Sequence, residues 1–254
     1  MIKYLIEFKL KQTSVLFCKL TFIVFLIFIS DKSFAQSSRV AIINLADSNL
    51  LYKHIGLSEF KDKVDTFDCQ FNCKKYIEQE LTRILSYRYT VSLLPIPDKL
   101  LSSNGSIYNS SDINNEARLW ISSLKNQFDF VIFVETGEQD DVMDVKKQKL
   151  RSTGLYSRGN PAKSWVAVFS TTRFTLVRTS NLENVDYDLG GMDYLLPLTD
   201  YQFSRDNVLI DPEMLLLVKD ELVKLFDYRL EYFLVNSFLM PDGDYNNLKK
   251  QKTE

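Results

Sequence analysis

A single histidine, His54, sets the limit on imidazole chemistry in this chain of 254 residues. Any serine or cysteine nucleophile activated by a histidine must use it, yet no Gly-x-Ser-x-Gly, Ser-x-x-Lys or paired-histidine zinc pattern accompanies it. Within Tyr52-Lys53-His54-Ile55-Gly56 it reads as a surface or packing residue. Carboxylates offer more. Glu135, Glu138, Asp140, Asp141 and Asp144 follow an apolar, strand-like run, the place where α/β folds commonly hold ligands. Calcium needs several carboxylate oxygens, but Asp140-Asp141-Val142-Met143-Asp144 lacks the alternating ligands and the glycine of a calcium loop. Glu135 and a distant acid could still form a glycosidase-like pair, because such pairs are set by geometry and not by spacing. A solvated loop is the plainer reading of the same acids.

The most distinctive string runs from Leu150 to Arg158, LRSTGLYSR. Gly154 inside a strand points to a bulge or a close backbone approach, and Arg151 and Arg158 are the residues that could hold an anion. Nucleotide binding is disfavoured. Asn44 to Leu50, the stretch after the first strand, has no glycine to let a backbone cradle phosphate. Cys69 and Cys73, spaced i to i+4, are expected to form a short-range disulfide just ahead of or across the start of a helix, adding about 2 kcal/mol, the alternative being that they are free or paired elsewhere. A redox pair would be Cys-x-x-Cys, and a zinc site from His54, Cys69 and Cys73 has the wrong spacing. No metal and no cofactor is expected.

These residues depend on the elements that carry them. Arg39 to Leu45 (RVAIINL) and Asp129 to Glu135 (DFVIFVE) are nearly continuous apolar runs, as expected of strands buried on both faces. Between them, Asn72 caps a helix over residues 73–88, and Tyr89 to Leu94 is a strand stopped by Pro95 and Pro97. Asp112 then caps a second helix that reaches about Gln127. The segment Ala46 to Asp68 has no clean period and reads as a long loop with a helical turn. The resulting order, β-α-β-α-β, predicts a largely parallel core. Beyond it, Gln148 to Tyr156 and Lys163 to Arg178 flank Ser157-Arg158-Gly159-Asn160-Pro161 and predict an antiparallel hairpin. Val185 to Leu189 could add one strand. Gly190 to Ile210 reads as a long loop. Asp211-Pro212 opens a helix that runs to about Phe238. The expected fold is therefore α/β with α+β character in its C-terminal half. Its mixed sheet has about five to six strands and is closed by the long C-terminal helix.

The first 35 residues read as an export signal. Lys3, Lys9, Lys11 and Lys19 form a basic leader, Leu20 to Ile29 is the apolar run, and Ser33-Phe34-Ala35 fits signal peptidase, with cleavage between Ala35 and Gln36. The uninterrupted apolar part spans only about 15 Å as a helix, half of a hydrocarbon core, so cleavage is preferred to an uncleaved anchor. Cleavage removes five lysines and two acids, which moves the net charge from −2 to −5 and disfavours nucleic acid as a partner. Membrane contact would come only through residues 1–35, if they stayed attached. The mature chain then holds one α/β domain, residues 36–241, and a polar tail, residues 242–254.

The leader, the VAIINL strand, the Gly154-Leu155-Tyr156 string ahead of an aromatic strand, and the helix after Asp211-Pro212 carry a resemblance. The chain resembles small exported, periplasmic bacterial α/β proteins of uncharacterised role, and its layout is similar to accessory domains of envelope machines such as curli-secretion or TolB-type proteins. The resemblance implies a secreted or periplasmic location and brings no catalytic residue with it. The expected function is a non-catalytic binding or accessory component of the bacterial envelope, partnered by an envelope protein. The alternatives are a carboxylate-based secreted hydrolase and a structural protein tethered by an uncleaved N-terminal helix.

Overall fold

In the computed structural model, Ser38–Glu254 form one compact unit. The structure describes residues 38–55, 63–101, 108–109, 112–140, 149–160, 163–187, 195–197 and 212–253. The expected leader with its cleavage site, Asp141, and most of the 190–210 segment lie outside the described residues.

The first sheet is built on β1 (Arg39–Leu45). Strands β2 (Leu50–Ile55) and β3 (Lys63–Phe67) follow, then α1 (Cys73–Leu85) and β4 (Thr90–Leu93). A small ladder of β5 (Tyr108–Asn109) and β6 (Asp112–Ile113) precedes α2 (Asn115–Ser123) and β7 (Phe130–Thr136). β1 lies between β4 and β7 and is parallel to both. This explains the unbroken apolar runs. Val40, Ile42, Ile132 and Val134 enter one core with Ile77, Leu81 and Ile84 of α1, while Ala41, Ile43, Val131 and Phe133 enter another with Ala117 and Ile121 of α2. Helices therefore cover both faces of the parallel core.

From β7 the chain runs through β8 (Gln139–Asp140), β9 (Lys149–Leu150), β10 (Thr153–Asn160), β11 (Lys163–Ser170), β12 (Thr172–Arg178), β13 (Asn184–Tyr187) and β14 (Leu195–Pro197). Two five-stranded sheets result, in the orders β13-β12-β7-β1-β4 and β14-β11-β10-β2-β3. The single sheet expected from the sequence is thus replaced by two. Residues 163–178, read as one strand, bend at Thr171, so β11 joins the second sheet and β12 the first. The segment read as a loop after β1 supplies β2 and β3. The expected hairpin is present as β10 and β11, with its strands extended through Asn160 and Lys163.

Two helices pack late in the chain. α3 (Pro212–Asn236) buries Val218, Leu222, Phe226 and Phe233, and Phe233 stacks on Phe174 of β12 with ring centroids 5.3 Å apart. α4 (Asp242–Thr253) occupies the stretch read as a polar tail. Tyr245 is buried there, its hydroxyl donating to the Asp227 carbonyl at 3.1 Å, and Leu248 packs on the same core. The second helix also starts later than expected. Asn114, not Asp112, is its cap, accepting from the Ala117 amide at 2.8 Å, because Asp112 and Ile113 are taken up by the β5–β6 ladder.

Candidate functional site

The connection from β1 to α1 is stitched by polar contacts, most of them between residues far apart in sequence. The Asn44 side chain donates to the Lys74 carbonyl at 2.9 Å and accepts from the Ala46 amide at 3.0 Å. The Asp47 amide donates to the Thr136 hydroxyl at the end of β7, at 2.8 Å. The Asp47 carbonyl accepts from the Cys73 thiol at 2.9 Å, at the first residue of α1. Held at these points, the chain turns outward into residues 48–50. The end of β3 returns toward α1 through Asp68, whose carboxylate accepts from the Gln70 amide at 2.6 Å, and through Gln70 itself, which takes φ +56°. Asn72 then caps α1 by accepting from the Lys75 amide at 2.9 Å.

Between these two walls opens a cleft of about 700 Å³, lined by residues 48–50, 66–68 and 70–72. Its polar groups are Ser48, Asn49, Thr66, Asp68, Gln70 and Asn72, all exposed, and Phe67 and Phe71 supply apolar surface. Among the described residues, Asp68 is the one ionisable side chain of this lining. A smaller cleft of about 310 Å³ shares Asp68 and Gln70 and continues to Cys69, Leu215 and Lys219.

Cys69 and Cys73 flank this region as two separate thiols, not as the expected disulfide. The Cys73 sulfur is engaged with the Asp47 carbonyl, and the two cysteines stand on either side of the Gln70 turn and the Asn72 cap. Burial first, and then the negative charge of Asp68, push the Cys69 thiol up to about 11. Burial also raises Cys73 to about 11. Both stay protonated near neutral pH, which makes them poor nucleophiles.

Those of the remaining residues singled out from sequence that the structure describes lie on separate elements. Glu135 is buried near the end of β7, beside Leu45 and directly opposite Arg173 of β12. Glu138 is exposed. Asp140 sits in β8 opposite Lys149 of β9, and Arg151 is exposed just before β10. Arg158 belongs to the second sheet, at a register position between Ile55 and Trp165. Gly154 is a close backbone approach: a Cβ there would lie 1.9 Å from the Leu51 carbonyl oxygen of β2. Among the described residues no group of three His, Cys, Asp or Glu side chains could hold a metal ion.

Two buried polar clusters carry no motif in the sequence. In the second sheet, Ser157 lies opposite His54, and its hydroxyl is 2.7 Å from His54 Nδ1 and 3.0 Å from the Tyr52 hydroxyl. All three are buried, next to Leu155 and Val166. A serine beside an imidazole is a pairing that general-base chemistry uses, but here a tyrosine occupies the same hydroxyl and the group is enclosed, so it acts as a satisfied core network. The hint available in sequence was the i, i+2 spacing of Tyr52 and His54, which puts both on one face of a strand. The second cluster lies where β11 bends into β12. Arg229 of α3, 1% exposed, donates Nη1 to the Ser170 carbonyl at 2.6 Å and Nη2 to the Thr172 carbonyl. The Ser152 amide donates to the Thr171 hydroxyl at 2.9 Å, and Gly137 donates its amide to the Thr171 carbonyl at 2.8 Å.

Together the fold and the cleft define a mixed α/β protein whose parallel strands carry a ligand-sized recess at their first β-to-α connection. Compared with known proteins, the chain matches no family model, no curated protein and no solved structure.

Proposed function

We propose that the chain is an exported, non-catalytic binding protein of the bacterial envelope, and that the cleft ahead of α1 is where it binds. The observation that carries this reading is the cleft's volume and position. About 700 Å³ falls within the roughly 300–1,000 Å³ range of ligand pockets, and the recess follows the C-terminal end of β1, where parallel α/β sheets hold their ligands. Its lining favours holding over reacting. Hydrolysis by paired carboxylates needs two acids in one recess, and this lining offers Asp68. The buried acid that motivated the hydrolase alternative, Glu135, faces Arg173 across the sheet, a placement that suits a structural pair.

The test uses a photo-crosslinking amino acid at Gln70, in the cleft, and at Leu119, exposed on α2, in cells expressing the full sequence. Crosslinks to one envelope component from position 70 and none from position 119, on protein whose N-terminus is Gln36, are expected. Equal capture from both positions, or protein found in the cytosol with Met1 intact, would overturn the proposal.

A further inference from the structure

We infer that the cleft takes a neutral, hydroxyl-rich ligand, an oligosaccharide segment; this rests on the binding reading above and names its ligand class. The evidence is the chemistry of the lining. Asn49, Gln70 and Asn72 are primary amides, each offering a carbonyl acceptor beside two N–H donors, which suits hydroxyl groups that both donate and accept. Among the described residues, the side chains of Ser48, Asn49, Thr66 and Gln70 make no hydrogen bond within the protein, and Asn72 uses only its oxygen, on Lys75. As these residues line the recess and are exposed, their remaining capacity is available to a ligand there. Asp68 gives one carboxylate oxygen to the Gln70 amide and keeps further acceptor capacity for vicinal hydroxyls.

The other ligand classes fit less well. Among the described residues no cation lines this cleft, and Asp68 together with the −5 charge of residues 36–254 opposes polyanions. A purely apolar ligand would bury Ser48, Asn49, Thr66 and Gln70 without partners and leave Asp68 and Asn72 only partly satisfied, at a cost of about 1–3 kcal/mol for each group left unpaired. The apolar contribution is limited to two rings. Phe71 is nearly buried, packed on Tyr76 and Phe226 at centroid distances of 5.4 and 6.2 Å, so Phe67 is the more accessible ring for the C–H face of a sugar.

The experiment titrates chitotetraose, maltotetraose and tetraalanine separately into ¹⁵N-labelled protein expressed from its full sequence, and follows backbone amide shifts. Saturable shifts confined to residues 48–50 and 66–72 with either sugar are expected, weakened at least tenfold in the Asn49→Ala, Gln70→Ala double variant. Both substituted side chains are exposed, so the fold should survive and the variant's own spectrum checks it. If only tetraalanine or a soluble envelope extract shifts those amides, the sugar assignment is overturned while the binding reading stands. If nothing shifts them, both fall. Shifts that the double variant leaves unchanged also overturn the assignment.

Discussion

Replacing Arg229 tests how the two sheets are joined. Its guanidinium, 1% exposed, reaches from α3 to the carbonyls of Ser170 and Thr172, the residues on either side of the bend at Thr171. Two opposing effects bear on an Arg229→Met change. Removing a buried cation relieves its desolvation cost, which can make such a substitution neutral when nothing else is left unpaired. Here two carbonyls lose charged donors worth about 1.5–3 kcal/mol each, and methionine offers neither a replacement donor nor the full volume. The loss of donors should win, leaving a net destabilisation of about 3 kcal/mol. For a domain of this size that is roughly 6–12 °C in Tm. Arg229→Lys keeps the charge but has a single nitrogen with which to span two carbonyls, so it should fall between. Thermal unfolding followed by circular dichroism, with urea titration as a check, measures both variants. A methionine variant that melts within 2 °C of the parent would show that desolvation cancels the hydrogen bonds and that Arg229 does not hold the bend.

Two further outcomes concern stability and thiol chemistry. Gly154→Ala places a Cβ 1.9 Å from the Leu51 carbonyl oxygen, so β10 and β2 must separate; a loss of about 2–3 kcal/mol by urea unfolding is expected, and a change below about 0.5 kcal/mol would contradict the close approach. Cys69 and Cys73, raised from 9.0 to about 11, hold about a hundredfold less thiolate at neutral pH than an ordinary thiol, and since a higher-pKa thiolate is the better nucleophile they should react with iodoacetamide at least about tenfold more slowly. Because the folded state holds these protons more firmly than the unfolded state, their contribution to stability is complete below about pH 9 and is lost as pH rises through about 11. Non-reducing mass spectrometry showing a loss of two hydrogens between Cys69 and Cys73 would refute the free-thiol description.

The elements legible in the sequence are those whose burial is symmetrical or whose cap is local. β1 and β7 are apolar on both faces because helices cover both, and Asn72 caps α1 through a contact only three residues away. What escaped was decided at a distance. β2 and β3 carry Lys53, His54 and Asp65, so no period stands out, and their strand character comes from pairing with each other and with β10. The break at Thr171 is invisible in a run of β-formers, since the groups that meet it, Arg229 some 60 positions later and Ser152 and Gly137 earlier, are remote in sequence. α4 is polar by composition, yet Tyr245 and Leu248 suffice to dock it. The cleft had still less of a signature, because its polar residues come from two stretches whose individual side chains are ordinary loop residues.

The topology explains why the recess lies where it does. In the first sheet the order β4-β1-β7 makes β1 the strand at which the winding reverses, and parallel α/β folds bind ligands at the carboxyl ends around that point. In this chain both exits are already used. The chain leaving β1 forms β2 and β3 before it reaches α1, and the chain leaving β7 forms β10 and β11 before it returns as β12. β2 pairs with β10, so the second sheet is seeded by the two segments that emerge from the reversal point. The contacts there, Asp47 to Thr136, Gly137 to Thr171 and Ser152 to Thr171, join protein to protein where other folds of this kind would bind a ligand. A ligand site that stays near the ends of the parallel strands must then move outward along the β1-to-α1 connection, beyond the base of the second sheet. That is where Ser48, Asn49, Thr66, Asp68, Gln70 and Asn72 are exposed, and it is why binding in this fold should depend on Asn49 and Gln70 while Glu135, at the reversal point itself, serves the scaffold.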